Sequence, residues 1–442
     1  MAKTLDAPAV PPGPAEPIPI AEIRRDPLSF LRRLTAEYGD VTRHETEDGP
    51  VVTVNRADLA RHVLRGRDRN YVKSGTPDDA MLTPLLGRGL LTSEGETWKR
   101  QRRITQPAFD RTRVEGLGAL IVDEAVVQVE RWRPALESGE PVRLDHDLSS
   151  LTLAVVSRAI LGSDVSGIGR GFGEAVDTVN RFMGHYDPLL PGSEGAEARA
   201  AFGKALGFLD GLVGLLVSGR RASGERADDL LGRLLEVGFD EREIRDQVLT
   251  MLMAGHETTA KALGWTTYLL DRNPEIAGRL DADLARVIGD RDPTAADLAR
   301  LPLLANVVSE SLRLYPPVWL ISRKALADDV LGDYAVPAGS LVCVSPYLLH
   351  RHPAYWDEPD RFDPGRFDEA RSVGRPEFAY IPFSGGPRRC IGERLALFEA
   401  QLVLATLRLR TAVQLVPEHP VEPEALVTLR PRDGLLARIS AR

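Results

Sequence analysis

The longest stretch of regular apolar patterning lies over residues 241–270. There Ile244, Val248, Leu252 and Leu263 recur at the spacing of one buried helical face. The pattern predicts one long helix, locally weak at Ala254-Gly255-His256-Glu257-Thr258-Thr259, because glycine loses backbone entropy and threonine can bond back to a preceding carbonyl. A second stripe, Ile391, Leu395, Phe398, Leu402 and Leu409, predicts another helix. Val51, Val52 and Val54 read as a strand, and short strands are expected again over 341–345 and 426–429. Helices are expected to dominate 97–316, broken by a loop at 188–197 and a charged linker at 218–229. Residues 206–217 are apolar but short and contain Asp210, so they read as an amphipathic or buried helix. No stretch is expected to span a membrane, and no apolar signal core follows Met1-Ala2-Lys3-Thr4. The fold class is therefore mainly α with small β-sheet regions: a mobile proline-rich tail over 1–19, then one domain over 20–442.

Composition narrows this picture little. The 442 residues are 43% hydrophobic and 27% charged, ordinary for a globular chain, and a net charge of -8 gives no reason to expect nucleic acid as a partner. Two cysteines exclude a disulfide framework and suit a reducing, cytoplasmic setting. Cys343 lies in the run Leu341-Val342-Cys343-Val344 and is expected in the core. Cys390 differs, because it lies in Phe383-Ser384-Gly385-Gly386-Pro387-Arg388-Arg389-Cys390-Ile391-Gly392, just before a predicted helix. A helix N-terminus and neighbouring arginines favour a thiolate, the form of cysteine that holds metals. Glycines let backbone approach a bulky planar ligand, and an arginine can grip a carboxylate in a fork.

Phe383, Gly386, Arg388, Cys390 and Gly392 together match Phe-x-x-Gly-x-Arg-x-Cys-x-Gly, and this loop resembles the haem-binding loop of the cytochromes P450. Three further motifs resemble the same family. Ala254, Glu257 and Thr258 match its oxygen-binding turn, which implies that Thr258 donates a hydrogen bond at the O2 site and Glu257 feeds protons through water. A zinc-protease reading of His256-Glu257 fails, since Ala260 stands where a second histidine is required. Glu310-x-x-Arg313 and Arg366, within Trp356-x-x-Pro359-x-x-Phe362-x-Pro364-x-Arg366-Phe367, match a structural ion network, with Gly365 a departure from the glutamate common there. Trp98 and Arg102 lie four apart on a helix that Ser93-Glu94-Gly95-Glu96 is expected to open as a capping box. By resemblance Trp98, Arg102, Arg323 and Arg388 bind haem propionates, and exposed Lys99, Arg100 and Arg103 face the redox partner.

The resemblance spans residues 25–440. It implies the cytochrome P450 fold, with haem between the long central helix and the Cys-loop helix, haem b as cofactor, Cys390 as axial thiolate and O2 as co-substrate. It further implies a monooxygenase that takes electrons from a separate ferredoxin or flavodoxin and its reductase, a monomer without a membrane anchor. The expected pocket draws on residues 80–91, 181–190, Met251, Ala254, 318–321 and 427–429, mostly apolar and with Trp319 the most distinctive. That favours a hydrophobic terpenoid, polyketide or fatty-acyl substrate. An oxidative-coupling or peroxide-using enzyme of the same fold, and a non-enzymatic haem-thiolate sensor, are the alternatives open to the sequence.

Overall fold

β-Branched residues at Val51, Val52 and Val54 place Gly49–Val54 in a strand that is paired on both edges. It runs antiparallel to Val41–Thr46, with Val41 opposite Val54, and parallel to Leu341–Val344, with Val54 opposite Val344. Ile321–Ala325 and Tyr71–Val72 complete a five-stranded sheet. The structure, a computed structural model, describes residues 8–163, 169–185, 195–224 and 228–442. Backbone contacts separate these into two compact units. The first combines the chain up to Met81 with Val318–Arg361 and Val373–Cys390; the second combines Leu82–Pro317, Phe362–Ser372 and Ile391–Arg442. Each is assembled from three stretches, so no single boundary along the sequence marks either.

In the first unit, Val52, Val54, Val342 and Val344 are fully buried beside Leu349, Phe378 and Ile381. Each such side chain contributes roughly 1.5–3 kcal/mol of burial. The proline-rich start, expected to be mobile, is tied down from residue 9. Ala9 N–H donates to Asp333 O at 2.9 Å, Ala335 N–H to Ala9 O at 2.8 Å, Arg43 N–H to Pro12 O at 2.9 Å and Ile18 N–H to Glu45 O at 2.8 Å. Only glycine fits at Gly13, where a Cβ would stand 1.6 Å from Arg43 O.

The second unit is helical. Its central helix, Glu241–Arg272, opens with a capping box in which Glu243 N–H donates to Asp240 Oδ1 at 2.7 Å and Asp240 N–H to Glu243 Oε2 at 3.1 Å. The expected weak turn at 254–259 is unbroken α-helix. Thr258 Oγ1 donates to Ala254 O at 2.8 Å and Thr259 Oγ1 to Gly255 O at 3.2 Å, so the threonines bond within the helix. Gly255 is a packing residue: a Cβ there would meet Val156 Cγ2 of helix Leu144–Leu161 at 2.6 Å. Helix Glu393–Arg410 packs against Gly118–Arg131 and Pro302–Leu314.

Four further expectations differ from the structure. Residues 218–223 are not linker but the end of helix Ala196–Ser223, anchored where Arg220 pairs with Asp229 at 2.8 Å. Residues 186–194, including most of the expected loop, and 225–227 lie outside the described residues. Continuing through 28 residues, that helix is long enough, and over an 18-residue window of mean hydropathy 1.6 apolar enough, to cross a membrane by length and composition, contrary to the reading of 206–217 alone. Its Asp210 pairs with Arg245 of the central helix. Residues 426–428 form the turn of a hairpin between Pro423–Ala425 and Leu429–Pro431 rather than a strand. Helix Gly95–Thr105 lacks the expected capping box, because Ser93 Oγ bonds Gln101 Oε1 at 2.5 Å and Glu96 pairs with Lys99.

Candidate functional site

The predicted site residues divide between the units: Arg323, Phe383, Arg388 and Cys390 in the first, Trp98, Arg102, Ala254, Glu257, Thr258 and Gly392 in the second.

In the first unit the cysteine loop is closed by its own backbone. Ser384 N–H donates to Ile381 O at 3.0 Å, Arg389 N–H to Gly386 O at 3.1 Å and Cys390 N–H to Phe383 O at 2.9 Å. Gly386 has φ +67°, and a Cβ there would stand 1.9 Å from Leu64 O, so glycine is required for both conformation and space. A Cβ on Gly385 would meet the Phe378 ring at 2.5 Å. These constraints hold Cys390 exposed at the end of a tight turn, whereas Cys343 is buried and its thiol is pushed up to about 12 by desolvation. The helix begins only at Glu393, with Gly392 as its N-cap at φ -89°, so Cys390 precedes the first helical turn instead of lying in it.

Cations gather in the same unit. Arg323 is 6% exposed, and its Nη1 donates to Ser322 O at 2.8 Å, while the Ser322 hydroxyl bonds Asp78. The Lys73 ammonium is pushed down to about 8, first by desolvation and then by the charge of Arg323, with Asp78 opposing and Arg388 adding to the depression. Lys73, Arg323 and Arg388 thus form one group of cations with Asp78 and Asp79 among them. Sequence reasoning missed Lys73, which follows strand Tyr71–Val72 and carries no local signal.

In the second unit the central helix is buried along most of 248–260, yet Ala254 is exposed and Gly255 and Thr258 are half-buried. An open small residue amid fully buried neighbours marks a place where a ligand can lie against the helix. Glu257 is 5% exposed, and its Oε1 accepts from Asn180 Nδ2 and from Thr428 Oγ1, each at 2.8 Å. Thr428 lies in the 427–429 stretch expected to line the pocket, but nothing in the sequence paired it or Asn180 with Glu257, because both come from elements distant along the chain. Trp98 and Arg102 are half-buried on helix Gly95–Thr105; Lys99, Arg100 and Arg103 are exposed. Arg100 is occupied, pairing with Glu243 at 2.9 Å and lying 4.3 Å over the Phe239 ring.

The predicted ion network is fully buried. Arg313 Nε donates to Glu310 Oε2 at 2.6 Å and its Nη2 to Oε1 at 2.8 Å; Arg366 Nε and Asp363 N–H also reach Oε1, at 3.3 and 2.8 Å. It ties helix Pro302–Leu314 to residues 362–372. In the pocket elements, Trp265 Nε1 donates to Leu429 O at 3.0 Å and Leu429 N–H to Pro317 O at 2.9 Å. Arg88 N–H donates to Asp246 Oδ2 at 2.7 Å and Leu90 N–H to Gln247 Oε1 at 3.3 Å. Residues 186–190 of the expected pocket lie outside the described residues.

An exposed thiol in a closed loop and a group of cations, both in the first unit, and an open Ala254 in the second each suit the chemistry of a propionate-bearing iron macrocycle. Residues 11–436 match the family model described as Cytochrome P450. The chain is 34% identical to cyclooctatin synthase of Streptomyces melanosporofaciens, over 92% of this chain and 89% of the relative. It is 32% identical to pentalenene oxygenase of Streptomyces avermitilis, over 95% and 94%. A solved structure titled as a cytochrome P450DA heme domain superposes with a TM-score of 0.88 at 27% identity, covering 99% of this chain and 98% of that one.

Proposed function

Because the chain belongs to the cytochrome P450 family and is a monooxygenase of that family, we propose that Cys390 is the axial thiolate of haem b and that the substrate is a terpenoid. The observation that carries the ligand assignment is the Phe383–Cys390 loop, where hydrogen bonds and two space-forced glycines present one exposed cysteine. The terpenoid assignment draws support from the relatives named for cyclooctatin and pentalenene. When bound, haem b supplies O2 activation with two electrons, placing one oxygen atom in the substrate and releasing the other as water.

The chain's own residues set the conditions. The Cys390 thiolate would hold the haem iron and would supply electron density to it. Arg323 and Arg388 offer guanidinium forks to propionates, Lys73 a point charge, and Trp98 and Arg102 an indole N–H and a further fork. Thr258 holds a hydroxyl on the open face of the central helix, and Glu257 holds the proton-donating carboxyl one residue before it. Glu310, Arg313 and Arg366 fix the core without touching substrate. Electrons come from a separate ferredoxin or flavodoxin with its reductase, for which exposed Lys99 and Arg103 supply positive charge.

The test is spectroscopic. The reduced, CO-bound protein is expected to show the red-shifted Soret band of thiolate ligation, and Cys390→Ser is expected to lose it while retaining the parent far-UV circular dichroism. A parent protein without that band would overturn the ligand assignment. For the substrate, pentalenene and related terpenes are expected to shift the haem spin state where fatty acids do not; the opposite ranking would overturn the terpenoid assignment.

A further inference from the structure

In the first unit the cysteine loop rests on a turn of unusual winding. Helix Ala57–Arg61 runs on into a π-turn over His62–Gly66, closed where Arg67 N–H donates to His62 O at 2.8 Å. Such i→i+5 bonds are rare in proteins and gather at functional sites. This turn carries the atoms that leave Gly386 no room: a Cβ there would stand 1.9 Å from Leu64 O and 3.1 Å from Arg65 Cα. The Arg65 side chain pairs with Glu377 at 3.2 Å, beside the Phe378 ring that presses on Gly385. The loop is thus seated on the π-turn through its own two glycines.

One carboxylate grips that turn at both ends. Asp329 has a side chain only 6% exposed, and its Oδ2 accepts from His62 Nε2 at 2.8 Å and from the Tyr71 hydroxyl at 3.0 Å. Its Oδ1 accepts from Val330 N–H at 2.9 Å and lies 3.5 Å from Arg67 Nη2. His62 opens the π-turn and Arg67 follows its last residue. Burial works to raise the Asp329 carboxyl, but the bonds from His62, Val330 and Tyr71 prevail and hold it below the usual carboxylate range. An ionised carboxylate only accepts, so His62 Nε2 carries the proton between them.

We propose that Asp329 and His62 are positioning residues for the haem-ligating loop: they lock the π-turn on which Gly386 sits, and so fix where Cys390 presents its sulfur. They act through Leu64 and Gly386. The inference rests on the reading of Cys390 as the axial thiolate.

The test uses haem-loaded protein and two readouts that need no turnover. One is hydrogen exchange at the amides of Ser384, Arg389 and Cys390, whose bonds close the loop. The other is the rate at which the reduced, CO-bound protein loses its thiolate-type Soret band on standing. Asp329→Asn keeps the shape but leaves one acceptor oxygen for four donors, and His62→Leu removes the ring N–H. Each is expected to speed exchange at the three amides at least fivefold and loss of the band at least threefold. His62→Gln, which offers an amide N–H instead, is expected to stay within twofold of the parent. Leu34→Ala opens a cavity in helix Pro27–Tyr38 of the same unit; it is expected to lower the urea midpoint and leave both readouts within twofold. Exchange within twofold of the parent in both Asp329→Asn and His62→Leu overturns the proposal. Equal effects in Leu34→Ala overturn it too, because general stability would then account for them. If His62→Gln behaves as His62→Leu does, the hydrogen bond is not the grip. Faster exchange with an unchanged band breaks the link from turn to sulfur. A parent protein without the band overturns the reading of Cys390, while the exchange readout still decides whether Asp329 holds the loop.

Discussion

Glu399, on helix Glu393–Arg410, is 1% exposed, and among the described residues its Oε1 has no hydrogen-bond partner. Desolvation drives its carboxyl well above the ordinary range, so the folded protein holds this proton more tightly than the unfolded chain does. Stability tied to Glu399 is therefore complete below the unfolded carboxylate pKa of about 4.3, and it is lost as pH rises toward the elevated native value. Glu399→Gln, which keeps the shape and cannot ionise, is expected to stabilise the protein at pH 7 by roughly 1–3 kcal/mol. The gain should shrink as the pH falls toward 4; urea unfolding at the two pH values measures it, and an equal effect at both would show that Glu399 does not titrate with folding. At this scale the sequence was informative where chemistry is local. Cys390, Arg388 and Glu310-x-x-Arg313 are adjacent in the chain and announce themselves. Lys73, Asn180 and Thr428 acquire meaning only from neighbours brought by the fold, and no spacing encodes that.

In the central helix the extent follows from apolar periodicity, and the threonines bond back to preceding carbonyls as the sequence suggested, yet the turn is unbroken and Gly255 serves packing against Val156. Gly255→Ala would gain about 1 kcal/mol of helix propensity. The new Cβ would lie 2.6 Å from the stiff side chain of Val156, and such overpacking costs roughly 1–3 kcal/mol. Net destabilisation is expected in the parent and stabilisation of up to about 1 kcal/mol in a Val156→Ala background; denaturant midpoints of the four variants measure this sign change. The missing capping box at Ser93 has a related cause, since a hydroxyl that finds Gln101 is no longer available to a helix terminus. The hairpin turn at 426–428 was read as strand because Leu426, Val427 and Leu429 are apolar, a signal that does not separate turn from strand in so short a run.

Across the whole molecule, the sheet of the first unit joins residues separated by about two-thirds of the chain. Val52 pairs with Val342 and Thr53 with Cys343, so Gly49–Val54 lacks one of its two partners until Leu341–Val344 arrives. Loop closure over that separation delays such pairing. In pulse-labelled refolding, amides of both strands are expected to gain protection together and later than those of Glu241–Arg272. Protection of Gly49–Val54 in step with the central helix would contradict this order. The family was legible in four motifs, and the division into two units was not, because motifs are read along the chain and the units are interleaved in it.

The docked proline segment has a practical side. With Ala9 hydrogen-bonded to Asp333 and Ala335, the chain is fixed ten residues ahead of residue 19, where the mobile tail was expected to end. An electron-transfer protein fused ahead of Met1 would be tethered beside the Asp329–Leu331 and Tyr334–Val336 hairpin rather than on a nineteen-residue string. Its effective concentration at any docking face is then set almost wholly by the linker the engineer adds.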